Sequence, residues 1–203
     1  MTSTRGEFDL LEQTWSEVTP DAARRMLVAA ARAFAEKGYH ATTTRDIAAQ
    51  AGMSPAAVYI HYRSKEELLF QISRIGHTTS LEVLTSVPEA DPVRRMTAAV
   101  AAFAGWHAKH HTTARVVQYE LNALTPEHRT EVVRLRRRIE AVVREMVEAG
   151  VEAGEFKVPD VDGATLAVLS LCIDVARWYR PGGPRTPVEV GELYADLVLR
   201  MLT

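Results

Sequence analysis

With 203 residues, of which 47% are hydrophobic and 25% charged, the chain is long enough for one large or two small domains and apolar enough to bury a core. A single cysteine excludes an internal disulfide, no apolar run is long enough to span a bilayer, and the N-terminus carries no signal-peptide pattern, so the expected compartment is a reducing cytoplasm. The net charge of −2 excludes binding to nucleic acid by bulk charge, yet residues 21–70 hold seven Arg and Lys against five Asp and Glu while both flanking regions are net negative.

Residues 1–20 read as an acidic N-terminal extension. Phe8, Leu11, Trp15 and Val18 are spaced to share one helical face, but a frayed or weakly docked tail is the expectation for such a terminus. From Asp21 the periodicity predicts a helix to Lys37, with Met26, Leu27, Ala30, Ala31 and Phe34 inward, Thr19 or Asp21 as cap and Gly38 as stop.

The stretch Thr42–Leu69, TTTRDIAAQAGMSPAAVYIHYRSKEELL, reads as two short helices about a tight turn, followed at once by a third. Thr44 is the expected cap of the first, whose apolar face is Ile47, Ala48 and Ala51. Gly52 supplies the left-handed conformation that ends a helix at no steric cost, Met53 turns inward, and Ser54-Pro55 is a cap with a first-turn proline. The next helix, Ala56 to Tyr62, starts with small side chains that permit close approach to another surface, which is how a helix-turn-helix places its second helix in the major groove. Ser64 with Glu67 forms the capping box of the third helix. Lys65 opposes that helix's dipole, which suggests a phosphate nearby.

These residues carry a resemblance. Phe34, Gly38-Tyr39, Thr43-Thr44-Arg45-Asp46-Ile47-Ala48, Ala51-Gly52-Met53-Ser54, Val58-Tyr59, Tyr62 and Lys65-Glu66-Glu67-Leu68 resemble, in order, the DNA-binding domain of TetR-family transcriptional regulators. The resemblance implies that Thr44, Arg45, Tyr59, His61 and Lys65 meet DNA, with Ser54 and Ala56 at the start of the reading helix completing the set. Arg45 suits a guanine edge, Tyr59 and Lys65 suit phosphate, and Tyr62 is expected inside.

Beyond Lys65 the helix is expected to run to about Val87, bending at Gly76, before Pro88 and Pro92 break it. Helices follow at roughly 92–110, 113–123, 126–153, 160–179 and 188–202, with no strand signal. The helix from Pro126 has an inner stripe including Val132, Ile139 and Met146 and a charged outer face; the loop after it buries Phe156. The last two helices are apolar on two sides, so one side needs a partner, and a two-fold four-helix interface between two chains meets that need. The predicted architecture is all-α, about nine helices: a three-helix DNA-binding domain (21–66) and a helical effector-binding and dimerisation domain (67–203).

Polar and aromatic groups on otherwise apolar helices suit a mostly apolar pocket with a few orienting contacts: Trp106, His107, Tyr119, Asn122, Met146, Cys172, Asp174, Arg177 and Trp178. The run Arg177-Trp178-Tyr179-Arg180-Pro181-Gly182-Gly183 with Tyr194-Ala195-Asp196 is similar to TetR-like regulators of fatty-acid and sterol catabolism, and that similarity implies an acyl-CoA effector; Arg134, Arg137, Arg138 or Arg177 would then meet its phosphates. His107, His110 and His111 have the spacing of a metal pair but lack a nearby acidic or thiolate ligand, which leaves a metal-responsive regulator as an alternative and no cofactor as the expectation. There is no glycine-rich phosphate loop and no nucleophile elbow, so an acyl-CoA-processing enzyme is only the contrasting reading. The sequence thus predicts a ligand-responsive repressor that binds a palindromic operator as a homodimer.

Overall fold

The computed structural model describes residues 11, 12, 15–88 and 91–203, and Phe8 lies outside them. The described residues form nine α-helices, one 3₁₀ turn and no strand: α1 (Asp21–Lys37), α2 (Thr44–Ala51), α3 (Pro55–His61), α4 (Lys65–Thr85), α5 (Pro92–Lys109), α6 (His111–Tyr119), the turn Leu121–Ala123, α7 (Pro126–Glu152), α8 (Val161–Trp178) and α9 (Pro187–Leu202). They gather into two compact units. The first holds the described residues up to Gly76 with Thr112–Val132, and the second holds His77–His111 with Val133–Thr203. The divisions fall inside α4, at the first residue of α6 and inside α7.

In the first unit, Met26, Leu27, Ala30 and Phe34 of α1 meet Ile47 and Ala48 of α2, Val58 of α3, and Leu68, Leu69 and Ile72 of α4. Tyr62 is inside as expected; its hydroxyl donates to the Ala23 carbonyl oxygen at 3.1 Å, and burial pushes its pKa up to about 12. The extension departs from expectation: Leu11 and Trp15 are 2% and 4% exposed in this same core, with Val18 packed against it. Removing those apolar surfaces from water outweighs the tendency of an acidic terminus to fray.

Residues 112–132 are tied into this unit by a polar clasp. The Glu66 carboxylate accepts from the Thr125 N–H at 2.9 Å and lies 2.9 Å from His128 Nδ1, while Phe70 stacks on the His128 ring at 3.8 Å. The helix expected over 113–123 ends at Tyr119, and Leu121–Ala123 tightens into the 3₁₀ turn, which closes through the Leu124 N–H on the Leu121 carbonyl oxygen.

Two caps differ from the sequence reading. For α2 the cap is Thr43, not Thr44: its hydroxyl accepts from the Asp46 N–H while the Asp46 carboxylate takes the Thr43 N–H, because the acidic residue stands three positions after Thr43. At the start of α1, Pro20 occupies the cap position without a side-chain bond, and Asp21 pairs with Arg24 instead.

The second unit is built on α5 and α9, which approach closely where small residues meet: Gly191 lies against the backbone of Ala101, and Gly105 against the Pro187 carbonyl. Around them, Met96, Val100, Phe103, Met146, Val147, Cys172, Val175, Val190, Val198 and Leu202 are buried. Phe156 is buried as expected, beside Gly150, where no side chain would fit. The Lys157 N–H donates to the Leu202 carbonyl oxygen at 2.7 Å and ties this loop to the end of α9. In this chain α8 and α9 leave Leu166, Leu171, Trp178, Val188, Leu197 and Met201 exposed. The helix that begins at Lys65 continues through Gly76 to Thr85.

Candidate functional site

The turn between α2 and α3 sets the geometry. Gly52 has φ +68 and ψ 34, the left-handed conformation, and its N–H caps α2 on the Ala48 and Ala49 carbonyls. Ser54 then accepts the Ala57 N–H at 3.3 Å, Pro55 opens α3, and the Arg25 guanidinium donates to the Ala51 carbonyl oxygen at 2.7 Å, holding the turn to α1. Val58 and Tyr62, four residues apart and buried, fix the rotation of α3.

With that rotation, Ser54, Ala56 and Tyr59 are exposed, His61 is half-buried, and Arg45 projects from α2 into solvent. The Thr44 and Tyr59 hydroxyls lie 3.2 Å apart, joining α2 to α3 on their outer side. Asp46, bonded to Lys37 and Thr43, is held well below the usual carboxylate range, so α2 begins with a fixed negative charge where the helix dipole favours one. Ile60, absent from the set derived from sequence, is 77% exposed beside Tyr59. Its signal was available: it lies two residues from Val58, and so on the far side of a helix from the buried stripe.

Lys65 is engaged within the fold. Its Nζ donates to the carbonyl oxygens of Tyr39 and Thr42, both at 2.8 Å, reaches that of His40 at 3.5 Å, and sits 4.3 Å from the Tyr39 ring centroid. A charged donor shared among carbonyls that end the α1–α2 loop accounts for a lysine at a helix start without a phosphate. Lys65→Met should destabilise the protein by about 1.5 kcal/mol, lowering the melting temperature by roughly 3–6 °C. A variant with unchanged melting but reduced operator affinity would return Lys65 to the phosphate contacts.

Among the expected effector residues, Trp106, His107, Met146, Cys172, Arg177 and Trp178 belong to the second unit, and Tyr119 and Asn122, both exposed, to the first. Met146 and Cys172 are fully buried, and burial raises the thiol to about 12. Trp106 packs on His107 and His110 with ring centroids 5.0 Å away in each case, and its buried indole Nε1 has no hydrogen-bond partner among the described residues. Burial lowers both imidazoles to about 4, so each is neutral at pH 7. Arg177 forks onto the exposed Asp174 carboxylate at 2.6 and 2.8 Å, and Trp178 stacks on Tyr194.

The three histidines do not share a helix face. The chain turns at His110, which caps α5, and His111 opens α6; His107 Nδ1 and His111 Nδ1 bond to the carbonyl oxygens of Phe103 and Ala108. Among the described residues no three His, Cys, Asp or Glu side chains are placed to hold a metal ion, so the metal-responsive alternative loses its geometric basis. No helix among them is long and apolar enough to cross a membrane.

A glycine-turned pair of short helices carried on a three-helix core, in an otherwise helical chain, defines a helix-turn-helix regulator. Residues 26–72 match the bacterial regulatory proteins of the tetR family, and residues 89–202 match the tetracyclin repressor-like C-terminal domain. The HTH-type transcriptional repressor KstR2 of Mycobacterium tuberculosis is 32% identical over 185 residues, covering 88% of this chain and 91% of the relative. A tetR-family regulatory protein from Rhodococcus RHA1 superposes with a TM-score of 0.86 at 44% identity, over 91% of this chain and 98% of that one. AibR, solved with isovaleryl coenzyme A and operator DNA, superposes with a TM-score of 0.78 at 26% identity, over 89% and 97% of the two chains. The chain belongs to the TetR family of transcriptional regulators, and its work is ligand-responsive regulation of transcription, not enzymatic turnover.

Proposed function

We propose that the protein is a cytoplasmic homodimeric repressor that binds a palindromic operator and leaves it when an acyl-CoA thioester occupies the second unit. The observation that carries the DNA-binding half is the exposed outer surface of α2 and α3, with Arg45, Ser54, Ala56 and Tyr59 turned away from a core that Val58 and Tyr62 anchor. Thr44, Arg45, Ser54, Ala56, Tyr59 and His61 meet the duplex, Arg45 at a base edge and Tyr59 at phosphate. Lys65 holds the loop behind them.

The exposed apolar side chains of α8 and α9 support dimerisation through these two helices, since an equivalent pair from a second copy would cover them. Two reading helices then address half-sites about 34 to 36 Å apart, one turn of DNA. The effector class is carried by the likeness to AibR, which binds both isovaleryl coenzyme A and operator DNA. Met146 and Cys172 in the second core, Trp106 against His107 and His110, and Trp178 on Tyr194 are the groups that would meet an acyl chain in this reading. Release requires only that the effector bind a dimer geometry with the wrong half-site spacing more tightly than the right one, with α4 as the element whose angle changes.

Arg45→Ala and Tyr59→Ala should each remove operator binding while leaving a dimer that melts like the parent, measured by fluorescence anisotropy and sedimentation. Parent-like affinity in either would move the reading surface elsewhere. Acyl-CoA thioesters of graded chain length, added to the protein–operator complex, should release DNA where free coenzyme A does not. If none releases it, the effector reading fails.

A further inference from the structure

Resting on the DNA-binding reading above, we propose that the protein reads thymine 5-methyl groups with Ile60, Ala56 standing one turn before it on the same face of α3. The helix that enters the groove has the sequence Pro-Ala-Ala-Val-Tyr-Ile-His and carries no Arg, Lys, Asn, Gln, Asp or Glu. None of its side chains can make the forked hydrogen-bond pairs by which guanine and adenine are told apart. Tyr59, the longest polar side chain on it, has its hydroxyl 3.2 Å from that of Thr44. Apart from Tyr59 and the half-buried His61, what α3 presents outward is apolar.

The rotation of the helix settles which apolar groups these are. Val58 and Tyr62 point into the core, and Ala56 and Ile60 lie two residues from Val58, about 200° round a helix with 3.6 residues per turn. Ile60 is 77% exposed and belongs to neither hydrophobic core, so packing among the described residues does not account for it. Its branched Cβ leaves few rotamers to lose on contact. The major groove has one apolar feature on its base edges, the thymine 5-methyl, and a rigid branched aliphatic side chain next to a small alanine is shaped to cover it. Specificity on α3 then comes from methyl contact, and hydrogen-bonded readout falls to Arg45 on α2.

The full-length protein is first used to enrich operators from a randomised duplex pool, and each thymine of the enriched half-site is then replaced by deoxyuridine, which lacks only the methyl. At one position per half-site the parent should lose roughly three- to five-fold in affinity, and about tenfold or more when both half-sites are changed. Ile60→Ala should bind the thymine and uracil duplexes alike, at the parent's affinity for uracil, and Ile60→Val should keep part of the preference. Because the side chain is exposed, these variants should melt with the parent. Indifference of the parent to uracil at every position, or an Ile60→Ala variant that retains the parent's preference, overturns the proposal while leaving DNA binding intact. Failure to enrich any duplex overturns the DNA-binding reading and this inference with it.

Discussion

Gly191→Ala is expected to destabilise the second unit by about 3 kcal/mol, the upper part of the range for overpacking a well-filled contact. A Cβ on Gly191 would stand under 3.0 Å from the carbonyl oxygen of Ala101 and 3.1 Å from its carbonyl carbon. Both are backbone atoms of α5, so no side chain can swing aside and the two helices must separate. Separation would open voids around Val100, Phe103, Val190 and Val198, which are all buried in the same core. The melting temperature should fall by roughly 6–12 °C for a chain of this size. Gly76→Ala is the control. It lies within α4, and a methyl placed there would have nothing within 4 Å, so alanine should stabilise by up to about 1 kcal/mol through helix propensity alone. Equal melting of Gly191→Ala and the parent would mean that α5 and α9 do not meet at Gly191.

Mild acid should destabilise the protein through two buried histidines. His107 and His110 are lowered to about 4 from the ordinary imidazole value of 6.5, chiefly by burial, with Lys109, His77 and the neighbouring imidazoles adding repulsion. Both are bases whose folded pKa lies below the unfolded one, so between pH 6.5 and 4 the unfolded chain binds the extra protons. Stability is therefore complete above about pH 6.5 and falls as pH falls through that window. From pH 7.5 to 5 each histidine accounts for a loss of about 2 kcal/mol, and the pair for somewhat less than twice that because the two sites repel each other. The hydrogen-bonded carboxylates of Asp174 and Glu189 are lowered, and their contribution is lost only at more acid pH. Thermal melts from about pH 7.5 to 5 should show this slope, and His107→Gln or His110→Gln should flatten it. A parent whose melting temperature is level across the range refutes the assignment.

Much of the reading surface was legible because local chemistry determines it. Gly52 in the left-handed region, Ser54-Pro55 as cap and first turn, and the stop at Gly38 depend on backbone conformations that few residues adopt, so the order of α1, α2 and α3 follows from the residues themselves. The buried positions of Phe156 and Tyr62 were also anticipated. The break between the helices expected over 92–110 and 113–123 was anticipated, and the structure places it at His110. What the sequence missed is the end of the following helix, which stops at Tyr119 and tightens into the 3₁₀ turn Leu121–Ala123 instead of running to 123.

The sequence by itself determined the all-α class, the glycine-turned pair of helices near the amino end, and the apolar surplus on the last two helices, since each rests on side-chain period or on a conformation that one residue type favours. Tertiary structure alone decided that Leu11 and Trp15 belong to the first core, that Lys65 directs its charge to the carbonyls of Tyr39, His40 and Thr42, that Thr112–Val132 joins the reading unit, and that Gly191 must remain a glycine. These outcomes depend on which distant atoms come within a few ångströms, and periodicity carries no information about distance between elements.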